Sequence, residues 1–186
     1  MQHTTIKNPM PLLLLASVFA LACGAAETRV PRNTAPELAD NEGFVALTVK
    51  TTHGARIYLK DRTTGNTMFL YAPLGEESFF VHKLAQGKYC LDKVDWLEKA
   101  LNGRPPSIRL NRQHECIQVT AGKLSYGGRW EVSLNTVGEM RISSTLDVDD
   151  IRARLGQHYD ALSRQYEVFV PENTEWTFDF LNTSNS

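Results

Sequence analysis

The sequence lacks several features that would assign it to a functional class. Its acidic and basic residues nearly balance, with a formal net charge of −1, and it has no long acidic tract. This balance argues against a nucleic-acid partner and against a solvating acidic tail. It also has none of the short signatures of nucleophilic hydrolases, zinc proteases or phosphate-binding loops. The sequence therefore predicts no cofactor and no identifiable catalytic residue.

No apolar run is long enough to span a bilayer, but the N-terminus carries a short one. Lys7 precedes the apolar run at 12–21, and small residues follow that run. A positive region, a short apolar region and small residues, in this order, are typical of a bacterial export signal. Residues 1–22 are therefore predicted to form a signal peptide.

The residue after this signal leaves two alternatives for the mature N-terminus. Cys23 follows Ala22, which resembles the lipobox of bacterial lipoproteins, although Ala20 and Leu21 stand in the reverse of the favoured order. Ordinary cleavage after the Ala-Leu-Ala triplet is the alternative. We predict lipidation of Cys23 and hence a membrane anchor. The protein is then an outer-membrane lipoprotein facing the periplasm or the cell surface; a soluble periplasmic protein is the alternative.

Cysteine is scarce, with three residues in the whole chain. Once Cys23 is assigned to the signal boundary, Cys90 and Cys116 remain as an even pair in an oxidising compartment. We predict a disulfide between them. The alternatives are two free thiols or a metal site shared with His114 and His82. Because the spacing matches no zinc signature, we predict no metal.

The mature chain divides into three parts. Residues 23–43 are polar and rich in proline without periodicity, which predicts a flexible tether. Residues 44–144 are short alternating runs separated by turn residues, which predicts an antiparallel β-sandwich of about seven to eight strands. Within it, Gly127–Gly128 predicts a bulge beneath Trp130.

Residues 145–186 predict one amphipathic helix followed by an extended tail, both packed on the sandwich. Asp147 is a suitable N-cap, and Asp149 and Asp150 suit the first helical turn. The alternating Trp176, Phe178 and Phe180 predict a last strand. The apolar residues of the helix recur at steps of three and four, at Val148, Ile151, Leu155, Tyr159, Leu162 and Tyr166.

Residues 95–114 interrupt the strand pattern and hold a local excess of positive charge. The run 96–101 predicts one or two turns of helix, which end at Asn102-Gly103. A solvated surface loop is the simplest interpretation, and a contact for an acidic partner is the functional alternative. The side chains that would make this contact are Lys99, Arg104, Arg109, Arg112 and His114.

Two turn motifs point to a family. Residues 84–89 (Leu-Ala-Gln-Gly-Lys-Tyr) and 116–127 (Cys-Ile-Gln-Val-Thr-Ala-Gly-Lys-Leu-Ser-Tyr-Gly) resemble a pattern of small, uncharacterised bacterial lipoproteins. That resemblance spans about residues 44–142 and implies a prealbumin-like β-sandwich, of the transthyretin or carboxypeptidase-regulatory type. It implies no activity, since one fold hosts many functions.

These patterns favour a non-catalytic cell-envelope protein with a binding or structural role. Its expected partner is an unknown protein or another envelope component, not a nucleic acid. One alternative is a periplasmic inhibitor or immunity-type protein that acts through the basic 95–114 loop. The other is a hydrolase, because catalytic triads assemble from residues distant in sequence.

Overall fold

A computed structural model describes residues 28–97, 107–110, 112, 114–135, 139–172 and 174–180. The predicted signal peptide and Cys23 lie outside these described residues. So do Lys99, Arg104 and all but the first two residues of the predicted helical turn at 96–101.

The described part of the chain contains eleven strands and two helices. The strands are β1 (Glu42–Thr51), β2 (Ala55–Asp61), β3 (Thr67–Ala72), β4 (Glu77–Ala85), β5 (Gly87–Trp96), β6 (Ser107–Arg109), β7 (Cys116–Val119), β8 (Leu124–Leu134), β9 (Met140–Thr145), β10 (Val168–Phe169) and β11 (Trp176–Phe180), and the helices are α1 (Val148–His158) and α2 (Asp160–Gln165). The predicted mainly β fold is confirmed. Strands β1 to β9 form the region predicted to hold about seven to eight strands, and β6, with three residues, is defined by its pairing partner rather than by alternation.

The strands form two sheets. Sheet A has the order β11-β9-β8-β1-β4, with β10 also paired to β8; sheet B has the order β3-β2-β5-β6, with β7 also paired to β5. Sheet B is antiparallel throughout. In sheet A, the pairings of β8 with β1 and with β10 are parallel. The sandwich is therefore as predicted, but its antiparallel arrangement is incomplete in sheet A.

The main core lies between the two sheets. Alternate residues of β1, namely Val45, Leu47 and Val49, point into it from sheet A. From sheet B come the inward residues of β2, such as Ile57 and Leu59. All five are fully buried. This is the packing that strands with period-two alternation produce.

The helices cover the other face of sheet A and make a second core. The predicted helical stripe, including Ile151 and Leu155, packs on β1 residues such as Phe44 and Ala46. The prediction that this stripe faces the sandwich is confirmed. The prediction of a single helix is wrong, because the backbone of Tyr159 leaves the helical region at φ −141° and ψ 44°.

The described part of the predicted tether, residues 28–43, is folded onto the domain. The Val30 amide donates to the Val81 carbonyl at 2.8 Å, and the Lys83 amide donates to the Thr28 carbonyl at 2.8 Å. Val30 itself is buried in the second core. The tether prediction is therefore wrong for these residues. One buried valine among polar neighbours leaves no periodic signal, but its backbone bonds extend sheet A beyond β4.

The predicted bulge at Gly127–Gly128 is confirmed. The pairing of β8 with β1 shifts register between Ala46 and Thr48. The Trp130 indole N–H donates to the Gly127 carbonyl at 2.8 Å. Gly128 has a φ of +92°, a conformation that favours glycine, and a Cβ at this position would overlap the Ser144 hydroxyl.

We predict that Gly128→Ala lowers the free energy of unfolding by about 3 kcal/mol. Alanine is strained at this positive φ, and its Cβ would overlap the Ser144 hydroxyl. The matched control is Gly156→Ala in α1, where an added Cβ meets nothing within 4 Å. That variant should raise stability by about 0.5–1 kcal/mol. Urea unfolding followed by circular dichroism measures both changes, and equal effects of the two substitutions would contradict the bulge.

Candidate functional site

The disulfide joins directly opposite residues of two neighbouring strands of sheet B. Cys90 of β5 pairs in register with Cys116 of β7, and their sulfurs are bonded. This confirms the predicted disulfide and removes the thiol and metal alternatives, since neither sulfur is available as a ligand. Both cysteines alternate with core residues such as Tyr89 and Ile117, so they lie on the outer face of sheet B. Chain entropy makes such a bridge worth roughly 3–4 kcal/mol.

The structure assigns different surroundings to the basic residues of the 95–114 segment. Arg109 is exposed on β6, opposite Lys93 of β5. His114 is exposed just before β7. Trp96, predicted to begin a helical turn, is instead the last residue of β5 and is buried in the main core. The described residues of this segment therefore lie against the edge of sheet B.

Arg112 forms a two-pronged ion pair. Its Nε and Nη2 atoms donate to the two carboxylate oxygens of Glu115, each at 3.0 Å. Glu115 is buried. Burial alone would raise the pKa of Glu115, but the hydrogen bonds from Arg112 hold that pKa below its usual value. Arg112 therefore neutralises a buried carboxylate. The sequence does not show this role, because a count of charges does not reveal which carboxylate is buried.

The outer face of sheet B, the side turned away from the main core, carries an exposed patch of aromatic and basic residues. Its aromatic members are Phe69 and Tyr71 of β3, with 48% and 51% of their surfaces exposed, and the half-buried Tyr58 of β2. We call this set, with its charged neighbours, the outer patch. Its charged members are Arg56, Lys60, Lys88, Lys93, Asp95 and Arg109.

Cations lie over the rings of the outer patch. The Arg56 guanidinium is 5.5 Å from the centre of the Phe69 ring, and the Lys93 ammonium is 4.1 Å from that of Tyr58. The Tyr58 and Phe69 rings are themselves 6.1 Å apart and tilted. Each cation–π contact is worth about 0.5–1 kcal/mol at an exposed site. These contacts hold the patch in one arrangement.

The outer patch has a positive surplus, with five basic side chains and one acidic, Asp95. Asp92, another acid on this face, lies 3.7 Å from Arg62, a cation outside the patch. Burial alone would raise the pKa of Asp95, but hydrogen bonds from Lys93 and Ser107 keep its pKa below the usual value. Asp95 is therefore charged and already engaged, at 2.8 Å from Lys93 and 2.6 Å from Ser107. The remaining cations present positive charge to solvent, on a chain whose overall charge is slightly negative.

Sequence reasoning missed the aromatic members of the outer patch. Phe69 and Tyr71 occupy the alternate positions of β3 opposite Met68 and Leu70, so the sequence does show that they share a face. It does not show that β3 ends the sheet, or that this face lies uncovered, among the residues that the structure describes. Both facts come from pairings and packing between distant parts of the chain.

The cavities described along the rest of the surface are open to solvent and have mixed polar and apolar linings. One of them, about 660 Å³, lies beside β7 and is lined by His114, Phe169, Glu172, Glu175 and Trp176 among others. Glu175 accepts a hydrogen bond from the Leu146 amide. Among the described residues, no group of three or more metal-ligating side chains occurs. None of the described helices combines the length and the apolar composition that crossing a bilayer requires.

His82 is buried under the N-terminal segment, with 4% of its surface exposed. Its Nδ1 lies 2.8 Å from the Thr28 hydroxyl, and its Nε2 has no hydrogen-bond partner among the described residues. Burial, and secondly the charge of Arg29, lower the pKa of His82 to about 4. The imidazole is therefore neutral at pH 7 and supports the contact between residues 28–30 and β4.

Comparison with models of known protein families finds no match to this chain, and comparison with curated proteins finds none either.

We predict that His82 makes stability fall with acidification between about pH 6.5 and pH 4. The folded pKa of His82, about 4, lies below its ordinary value of 6.5, so unfolding takes up a proton within this window. Across the whole window, protonation of His82 lowers the free energy of unfolding by at most about 3 kcal/mol. Urea unfolding at pH 7 and pH 5 measures the slope. His82→Gln should flatten it, whereas the exposed control His114→Gln should leave it unchanged; an unaltered slope in His82→Gln would contradict the assignment.

We also predict that Arg112 acts through Glu115. Arg112→Gln should lower the free energy of unfolding by about 1–2 kcal/mol, because it leaves a buried carboxylate without its partner. The double variant Arg112→Gln/Glu115→Gln should recover at least half of that loss. A double-mutant cycle by chemical unfolding measures the coupling. Additive losses would show that the two side chains act independently.

Proposed function

We propose that this protein is a non-catalytic binding protein of the bacterial cell envelope that binds an acidic partner protein through the outer patch. The observation that carries the proposal is the exposure of Phe69 and Tyr71 beside a surplus of positive charge. Aromatic residues and arginine are enriched in protein interfaces. Exposed aromatic residues grouped on one face mark interaction sites more often than scattered ones do.

The shape of the outer patch supports a protein as the partner. It lies on the outer face of four neighbouring strands, β3, β2, β5 and β6. The cavity beside β7 reaches it at Lys88, whereas Phe69 and Tyr71 line none of the described cavities. A flat surface of this kind suits another macromolecule better than a small ligand, which needs a concave pocket. The cations of the patch suit carboxylates on that partner, which would raise its association rate.

The proposed location rests on the N-terminus. A disulfide is compatible with an exported protein, and the signal-like residues 1–22 and the lipobox-like Cys23 support export and lipidation. The family resemblance to bacterial lipoproteins adds to this proposal. The described residues begin at Thr28, and the chain from Cys23 to Thr28 can span at most about 18 Å even when fully extended. The domain would then sit close to the membrane.

The inhibitor or immunity-type role remains the second candidate, and one observation favours it. Arg109, from the 95–114 segment, is exposed beside Lys93 at the border of the outer patch. An inhibitor would therefore use the same surface. The two candidates differ in the effect on the partner, because only inhibition abolishes an enzymatic activity when the complex forms.

We predict that Phe69→Ser/Tyr71→Ser reduces the capture of the partner at least tenfold, because it removes the apolar contacts of the patch. The mature protein is immobilised, exposed to envelope extract, and the bound proteins are quantified by mass spectrometry. Leu146→Ser is the matched control, since Leu146 is 43% exposed in the connection between β9 and α1. The specific partner should also dissociate with rising salt.

The proposal fails if the double variant and the control capture the same proteins in the same amounts. Thermal unfolding of both variants must match the parent protein to within a few degrees, which separates lost binding from lost folding. Activity assays of the captured protein, free and in complex, then decide between simple binding and inhibition.

A further inference from the structure

Strand β3 ends sheet B and has one open side. It pairs with β2 along its whole length, from Thr67 opposite Lys60 to Ala72 opposite Ala55. No strand among the described residues pairs with its other side. An open strand side of six residues offers backbone groups for pairing with another chain.

The hairpin register decides which backbone groups face the open side. The Asp61 amide donates to the Asn66 carbonyl at 2.8 Å, so these residues form a hydrogen-bonded pair. Such pairs alternate with non-bonded pairs along an antiparallel ladder. Met68 and Leu70 therefore bond to β2, whereas Thr67, Phe69 and Tyr71 point their N–H and C=O groups away from it. The same three residues carry the exposed side chains.

The open side of β3 lacks the features that usually protect an edge strand. Its sequence, Thr-Met-Phe-Leu-Tyr-Ala, has no charged residue and no proline, and its register with β2 has no bulge. Edges are normally shielded by charges, prolines, bulges, short strands or a covering segment. Elsewhere in this protein such shielding is present: residues 28–30 cover β4, and β6 and β7 have three and four residues.

We propose that β3 is the docking edge for an extended, acidic segment of the partner, which pairs with it as an added strand. The inference rests on the proposed function and assigns its mode of binding. Charge complementarity selects the occupant. On β2, Arg56 stands opposite Tyr71 and Lys60 stands opposite Thr67, so basic side chains flank the aromatic pair. The added strand would lie two strand spacings, about 10 Å, from β2. The Arg56 guanidinium already extends over the Phe69 ring of β3, so a glutamate on the outer face of the added strand can meet a long basic side chain above β3.

A second copy of the chain fits the same edge less well. Its β3 would present no acidic side chain, and its own Arg56 and Lys60 would add positive charge to the same face. An acidic strand instead would pair with the β3 backbone, contact Phe69 and Tyr71, and neutralise the positive charge of the outer patch. This is the combination that strand-addition partners use, with the backbone supplying affinity and alternate side chains supplying specificity.

The test uses the mature protein labelled with ¹⁵N and two capped synthetic octapeptides. One alternates glutamate with valine, and the other alternates lysine with valine. The glutamate peptide should slow hydrogen exchange of the Thr67, Phe69 and Tyr71 amides at least tenfold, while the already bonded amides of Met68 and Leu70 change little. The lysine peptide should have no such effect.

A backbone variant separates edge pairing from side-chain contact. Tyr71→Pro removes one outward N–H and leaves the bonds to β2, whereas Tyr71→Ser removes the same ring and keeps the N–H. The proline variant should bind the glutamate peptide at least tenfold more weakly than the serine variant. Unchanged exchange of the Leu70 amide in the free proteins shows that the hairpin is intact.

The inference is overturned if the two peptides act alike, if protection falls outside β3, if the proline and serine variants bind equally, or if the protein pairs with itself through β3 instead. It can fail while the proposed function stands. The proposed function stands and strand addition fails if the double variant Phe69→Ser/Tyr71→Ser loses partner capture while Tyr71→Pro and Tyr71→Ser capture the partner equally. Both proposals fail if none of these variants alters capture of the partner.

Discussion

Burial of strand β1 on both of its faces is the constraint on which the rest of the structure depends. Val45, Leu47 and Val49 pack against sheet B, while Phe44 and Ala46 pack against the helices. One strand therefore holds three layers together. Its parallel neighbour β8 runs close beside β1, and the two adjacent glycines of the bulge allow this close approach. Trp130 packs over the glycines and donates its indole N–H to the Gly127 carbonyl.

The two sheets have unequal surroundings as a result. Sheet A is covered by helices over much of its outer face, so its residues serve packing. Sheet B has one face packed on the main core, and its outer face, which no other described element covers, holds the exposed aromatic and basic side chains. The disulfide lies at the edge of this sheet, where it fixes β7 and the end of the basic segment to β5. Rigid support beneath an exposed surface lowers the entropy lost when a partner binds.

Local patterns predicted the elements well. The bulge lies at Gly127–Gly128 as predicted, and the Asp147 side chain caps α1 as expected. The features that were not predicted depend on contacts between residues far apart in the sequence. Examples are the parallel pairing of β8, the burial of Val30, the break at Tyr159 and the pairing of Arg112 with buried Glu115. For the candidate site, the cysteine pair was predictable from compartment and spacing, whereas the outer patch depends on which strand ends a sheet.

The N-terminal segment has a consequence for stoichiometry. A sheet protein with two open edges can pass strand pairing from molecule to molecule and grow into a filament. Here residues 28–30 occupy the edge beyond β4 with the chain's own backbone, and β3 belongs to the other sheet. If a partner strand pairs at β3, the opposite edge of sheet B offers only β6 and β7, which have three and four residues. The proposed strand addition would therefore favour one partner per molecule over a growing filament.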